Sequence, residues 1–296
     1  MNLTPGDKTN VLVQALPYIR RFHGKTVVVK YGGAAMDQAD LRESFAEDVT
    51  LLSYIGIRTV IVHGGGPQIG EVLERQGKET RFVMGLRVTD PETMDIVSMV
   101  LGGKVNKDIV GWINAHGGRA VGLSGVDGGT LQTRKLQIDP PEGWEGEPPD
   151  LGMVGEIREV RTGLLELLTE SGFIPVVAPM GVGEDGALYN INADTAAGHI
   201  AGALRAEKIV VLTDVAGIQD DDGGLLTSLD KDTVQSLQSR GVIAGGMLPK
   251  ADACLRALEA GVGKAHIIDG RVPHSILLEV FTDQGIGTEI VLDRRE

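Results

Sequence analysis

A short apolar strand, a glycine turn and an amphipathic helix recur in succession along this chain, and that unit restricts it to folds built on a parallel sheet covered by helices. Residues 26–29 form a continuous apolar run of the kind a doubly buried strand uses, and Lys30-Tyr31-Gly32-Gly33 follows it. Leu41, Phe45, Val49 and Leu52 stripe the next helix, Gly56 ends it, and residues 59–62 form a second strand. His63-Gly64-Gly65-Gly66 then turns into a helix opened by Pro67, whose missing amide suits the first helical turn. Further strands are predicted at 174–178, 209–213, 265–268 and 289–292. A helix is expected to begin near Asp90-Pro91 and to break around Gly102-Gly103, with a successor running to Gly117-Gly118. Pro140, Pro141, Pro148 and Pro149 make residues 137–152 an irregular excursion or hairpin.

Before the first strand, Val11, Leu12, Ala15, Leu16, Ile19 and Phe22 recur at helical spacing, with a kink expected at Pro17. Such a helix is either a packed cap or an oligomer contact. The organisation read from these patterns is an N-terminal oligomerisation helix at 1–24 and two α/β lobes at 25–180 and 181–296, with one sheet able to run through both. The net charge of −13 argues against nucleic acid and anionic lipid as partners. The single cysteine, Cys254, lies on the apolar side of a helical pattern and reads as core; with no secretory signal and no long apolar run, a cytoplasmic protein without membrane contact is expected.

Parallel α/β sheets bind ligands at the carboxyl ends of their strands, where helix amino termini expose free amides. The turns at 30–33 and 63–67 are two such places, and together they favour an anion. The Gly-x4-Gly-Lys-Ser/Thr motif of a P-loop is absent, Gly64-x-Gly66-x3-Gly70 misses the dinucleotide spacing by one residue, and the protein-kinase triplets are missing. Lys30 ends one strand, and Lys250 follows the glycines Gly245-Gly246 in another segment. Cations beside glycine turns in an acidic chain suit a polyanion.

The order of motifs strongly resembles the acetylglutamate kinase branch of the amino acid kinase family: Lys30-Tyr-Gly-Gly33, His63-Gly-Gly-Gly-Pro67, Gly85-Leu-Arg87-Val-Thr, Asn190-Ile-Asn192-Ala-Asp194, Leu212-Thr-Asp-Val-Ala-Gly217 and Gly245-Gly-Met-Leu-Pro-Lys250. The resemblance spans nearly the whole chain. It implies an αβα sandwich on a mainly parallel sheet, with acetylglutamate and a dimer contact in the first lobe and ATP in the second. It implies that Lys30 and Lys250 stabilise the transition state and that Asp194 orients them. Gly33, Gly64 and Gly65 would offer amides to phosphate and substrate, Arg87 would grip a substrate carboxylate, and Asn190 and Asn192 would position the substrate. Thr213, Asp214, Gly217, Gly245 and Met247 would take part in ATP binding.

The helix preceding the first strand and the segment 265–288 resemble the arginine-sensitive members of that branch, whose N-terminal helices interlace dimers into a hexamer. By that match Tyr18, Lys208, His266, Glu279 and Gly285 would line an arginine site, and a PII-type signalling protein becomes a candidate partner. The chemistry is consistent: a γ-carboxylate is ionised at pH 7, so no general base is needed, and His63 is given no proton-transfer role. ATP would bring Mg²⁺, for which no protein ligand is assigned. The alternatives are another amino acid kinase, with glutamate or aspartate as substrate, and a non-catalytic arginine-sensing scaffold.

Overall fold

Valines 27, 28 and 29 are excluded from solvent on both sides of the strand Thr26–Tyr31, as the apolar run requires. In the computed structural model, which describes residues 4–36, 38–138, 148–282 and 285–293, this strand lies near the middle of an eight-stranded sheet. The order across the sheet is Ser228–Asp230, Gly287–Val291, Lys264–Asp269, Lys208–Thr213, Thr26–Tyr31, Arg58–His63, Ile174–Ala178 and Ala120–Ser124. The six strands from Lys264–Asp269 to Ala120–Ser124 are mutually parallel; Gly287–Val291 pairs antiparallel with Lys264–Asp269 and parallel with Ser228–Asp230. The two halves of the chain thus share one sheet through Val27↔Lys208 and its neighbours.

Two apolar clusters cover the faces of this sheet. One holds Val29, Ile61, Phe45, Leu52, Ile109 and Ile113, so the helices Ala39–Tyr54 and Asn106–Ala115 pack on that face. The other holds Val28, Val60, Ile200, Val211 and Cys254, carried by the helices Ala193–Ala203 and Leu248–Glu259. Burial pushes the Cys254 thiol up, which suits the core role expected of it.

The predicted break at Gly102-Gly103 does not occur. Helix Pro91–Ser98 continues through a π-helical segment, Met99–Val105, into Asn106–Ala115. Two glycines weaken the helix but do not end it when Val100, Leu101 and Val105 remain anchored in the core. A four-stranded sheet in the order Leu188–Asn190, Met180–Gly183, Leu131–Lys135 and Gly155–Val160, and a small hairpin of Phe82–Val83 with Leu86–Arg87, complete the strands. The prolines at 140 and 141 lie outside the described residues, but the antiparallel pair Leu131–Lys135 and Gly155–Val160 brackets that excursion as the arms of a hairpin would.

The first helix runs Pro5–Phe22 in one piece through Pro17, opened by a capping box in which Thr4 and Asp7 exchange hydrogen bonds. Among its residues only Phe22 is buried, while Val11, Leu12, Val13 and Leu16 are exposed. No described helix is long and apolar enough to cross a membrane.

Candidate active site

At the carboxyl end of Thr26–Tyr31 the ammonium of Lys30 lies 3.1 Å from Asp194 Oδ1, and the Lys250 ammonium lies 3.0 Å from Asp194 Oδ2. Three elements converge to make this triad. Asn192 caps the helix Ala193–Ala203, its Oδ1 accepting from the amides of Asp194 and Thr195 at 2.9 and 3.0 Å, and so fixes Asp194 in the first turn. Gly198 lets this helix press against Leu248–Glu259, because a Cβ there would lie 2.7 Å from the Ala253 carbonyl oxygen. That close crossing delivers Lys250 to Asp194.

All three groups are largely withdrawn from water. Burial lowers the pKa of Lys30, against which the Asp194 carboxylate acts. For Asp194 burial pushes the carboxyl up, but the two ammonium groups outweigh it and hold it below the ordinary range. A carboxylate shared by two lysines leaves a local net positive charge in a buried setting, which an incoming anion can neutralise.

A cavity of about 950 Å³ opens beside Lys30 and Asp194 and brings together Gly64, Gly65, Arg87, Asn190 and Asn192. Arg87 enters it from the small hairpin. Its guanidinium donates to the Gly66 carbonyl at 2.8 Å and to Thr80 Oγ1 at 3.1 Å, and lies 4.9 Å from the Phe82 ring centroid. Asn190 donates to Thr89 Oγ1 at 3.3 Å, and Thr89 in turn donates to the Arg87 carbonyl. The Gly64 amide is itself donated to the Tyr31 carbonyl at 2.8 Å, whereas no protein acceptor takes the Gly65 amide among the described residues. Sequence reasoning missed Thr80 and Phe82; both precede the Gly85-Leu86-Arg87 motif, and only the hairpin pairing of Phe82 with Arg87 reveals them.

The residues expected to bind nucleotide are not part of this cavity. Gly33 opens a short 3-10 turn after the first strand, Thr213 ends the neighbouring strand Lys208–Thr213 and Asp214 follows it, and Gly245–Met247 is the 3-10 turn leading into the Lys250 helix. Gly217 packs closely on Thr288. Among the described residues no group of three or more His, Cys, Asp and Glu side chains is placed to hold a metal ion, and Asp194 is taken by its lysines.

A second cavity, of about 250 Å³, contains Tyr18, Lys208, His266, Glu279 and Gly285 together, with Arg21 and Glu289 at its wall. Glu279 is buried and not a solvated helix-end residue: Lys208 Nζ lies 2.9 Å and His266 Nδ1 2.6 Å from its Oε1. Burial alone would raise this carboxyl, but His266 and Lys208 bring it down to about 2.

The amino acid kinase family profile matches residues 25–269. The acetylglutamate kinase of Syntrophobacter fumaroxidans is 56% identical over 98% of this chain and 98% of its own length. That of Geobacter sulfurreducens is 57% identical over 96% of this chain and 98% of its own. Among solved structures, N-acetylglutamate synthase from Neisseria gonorrhoeae complexed with coenzyme A and N-acetyl-glutamate superposes with a TM-score of 0.83 at 29% identity. The match covers 97% of this chain, which spans 64% of the synthase. The same synthase complexed with coenzyme A and L-arginine gives a TM-score of 0.79 at 28% identity, over 96% of this chain and 65% of that one. Carbamate kinase from Giardia lamblia bound to AMP-PNP shares the fold, with a TM-score of 0.64 at 20% identity.

Proposed function

Because the chain belongs to the amino acid kinase family and, within it, to the acetylglutamate kinases, we propose that it transfers the γ-phosphoryl group of ATP to the γ-carboxylate of N-acetyl-L-glutamate, a step of arginine biosynthesis. The observation that carries the chemistry is the Lys30–Asp194–Lys250 triad beside the glycine-turn cavity. An anionic nucleophile must approach an anionic phosphoryl group, so the protein's task is positioning and charge neutralisation, not proton abstraction. Lys30 and Lys250 are the groups for that task, and Asp194 keeps both ammoniums in place before substrate arrives.

Arg87, already aimed by Gly66 and Thr80, is the group for a carboxylate of acetylglutamate, with Asn190 and Asn192 beside it. Gly33 and Gly65 contribute backbone amides, while Gly64, whose own amide is taken by the Tyr31 carbonyl, lines the cavity beside the substrate. Thr213, Asp214, Gly217, Gly245 and Met247 contribute to ATP binding in the second lobe. The described residues make no carboxylate cage, so Mg²⁺ fits here as an ion carried on the phosphates of ATP, with water in the rest of its shell. We assign no protein ligand to it.

The second cavity is our site for arginine as a feedback inhibitor. Glu279 offers a carboxylate to a guanidinium and Lys208 an ammonium to the α-carboxylate, and the exposed apolar residues of the first helix support a ring of interlaced dimers. A PII-type signalling protein is a candidate partner by the same likeness, and the cytoplasm is the compartment we assign.

ATP turnover measured in parallel with acetylglutamate, glutamate, aspartate and carbamate tests the substrate. Turnover confined to acetylglutamate is expected; preference for free glutamate or aspartate would point to another amino acid kinase, and none at all to a scaffold. Arginine at millimolar concentration is expected to suppress the rate, and an unchanged rate would refute the inhibitory role.

A further inference from the structure

Next to the glycine turn and outside the lining of the cavity, His63 and Asn106 are both wholly buried and hydrogen-bonded to each other. His63 Nδ1 lies 2.8 Å from the Gly64 carbonyl oxygen, and Asn106 Nδ2 lies 3.2 Å from His63 Nε2. A carbonyl can only accept, so Nδ1 carries the proton. The Asn106 amide is oriented independently of the ring: its Nδ2 also donates to the Val176 and Leu123 carbonyls at 2.8 and 3.3 Å, and its Oδ1 accepts from Lys107 Nζ at 3.0 Å. Nε2 therefore faces a donor and is unprotonated.

We propose that His63 and Asn106 are positioning residues for phosphoryl transfer, holding the Gly64–Gly65 peptide so that the Gly65 amide faces the cavity. This rests on the acetylglutamate kinase reading above. The described chain has no cis peptide bonds, so the Gly64 carbonyl and the Gly65 N–H point in opposite directions. With the carbonyl held against the buried ring, the N–H is turned toward the cavity that Gly64, Gly65 and Gly66 line and His63 does not. This is the amide that no protein acceptor takes among the described residues.

The surrounding chain is shaped to hold this arrangement. The π-helical segment Met99–Val105 ends one residue before Asn106 and presses Leu101 on the turn, where a Cβ at position 65 would lie 2.5 Å from Leu101 Cδ2. A Cβ at position 122 would lie 1.9 Å from Asn106 Oδ1, so glycine there leaves room for the asparagine. Burial, with Lys107 nearby, takes the imidazole down to about 4, so the ring stays neutral at the pH of the reaction. The histidine is thus a fixed donor, not a proton carrier.

The full chain is to be assayed with ATP and acetylglutamate as wild type, His63→Leu, His63→Asn and Asn106→Ala, with folded fraction measured by near-UV circular dichroism. For His63→Leu the expected result is kcat per folded molecule lowered about tenfold or more, with both KM values within about twofold of wild type. His63→Asn, whose amide NH₂ sits close to the place of Nδ1, is expected to recover most of the rate. Asn106→Ala is expected to reproduce the kcat loss and serves if His63→Leu does not fold. Nitrogen-15 NMR of the wild-type ring is expected to show the Nδ1–H tautomer between about pH 6 and 8. Unchanged kcat in the Leu and Ala variants, equal loss in the Leu and Asn variants, or an Nε2–H tautomer would each overturn the proposal. An inactive wild type would instead strike the acetylglutamate reading, and the tautomer would still decide the orientation of the peptide.

Discussion

Lys30→Ala and Lys250→Ala each leave Asp194 with one ammonium, but at sites of different depth, 8% and 15% side-chain exposure. Loss of a main electrostatic stabiliser costs on the order of a hundredfold or more in kcat, so both variants are expected to fall at least that far, well beyond any loss of folded protein. Steady-state turnover normalised to folded enzyme checks this, and near-normal kcat would remove that lysine from the chemistry. Arg87 works differently. Its guanidinium is preset by Gly66 and Thr80 before any substrate binds, so Arg87→Ala is expected to act mainly on the KM for acetylglutamate, and an unchanged KM would refute the contact. At this scale the two lysines are legible because a cation beside glycines, at a strand end for Lys30 and at a helix start for Lys250, needs a reason. Asp194 is not legible without the family resemblance, since a carboxylate at a helix start is usually a cap. The His63–Asn106 pair lies beyond the sequence altogether: the partners are separated by 43 positions and joined only by a buried hydrogen bond.

The short helix Ser275–Val280 shows how elements are tied as well as packed. Through Glu279 it reaches Lys208 on one strand and His266 on the next, so one carboxylate joins three elements. The folded-state pKa of Glu279, about 2, lies below its ordinary value of 4.5, so the link contributes stability above about pH 4.5 and loses it as pH falls toward 2. Glu279→Gln is therefore expected to lower the urea midpoint at pH 6, and the gap from wild type is expected to narrow steadily as pH drops from 4.5. A gap independent of pH would show that the carboxylate contributes through shape and not charge. Elements with long apolar runs, such as 174–178, are legible because burial on both faces erases any alternation. The four-stranded sheet is not, because Leu131–Lys135 holds one apolar side chain, Leu131, and Gly155–Val160 holds two, Ile157 and Val160, among charged neighbours, too few for either an apolar run or an alternation. The π-helical stretch is misread for a related reason: glycine pairs normally mark ends, and only the core contacts of Val100, Leu101 and Val105 show that this helix continues.

Across the whole molecule the feature with the least internal explanation is the first helix. Its last residue, Phe22, binds it to the fold at one end, while the Thr4 capping box closes the other end on itself, and Leu12 and Leu16 remain 70% and 51% exposed. They lie one helical turn apart, as a stripe prepared for another surface does. The sequence shows this amphipathic face and leaves open whether it packs inward; burial of Phe22 alone among its residues favours an outward contact. A Leu12→Glu, Leu16→Glu double variant costs the isolated subunit little, because surface substitutions usually stay within about 0.5 kcal/mol. If this face joins dimers into a ring, the variant is expected to sediment as a dimer where the wild type sediments as a hexamer, with basal turnover retained because both positions lie outside the cavity beside Lys30. Tyr18 and Phe22 of the same helix border the second cavity, so arginine inhibition is expected to weaken together with the ring. Equal sedimentation of the two proteins by analytical ultracentrifugation would break the link between this helix and assembly. A dimeric variant with wild-type arginine response would show that the site is complete within the subunit pair.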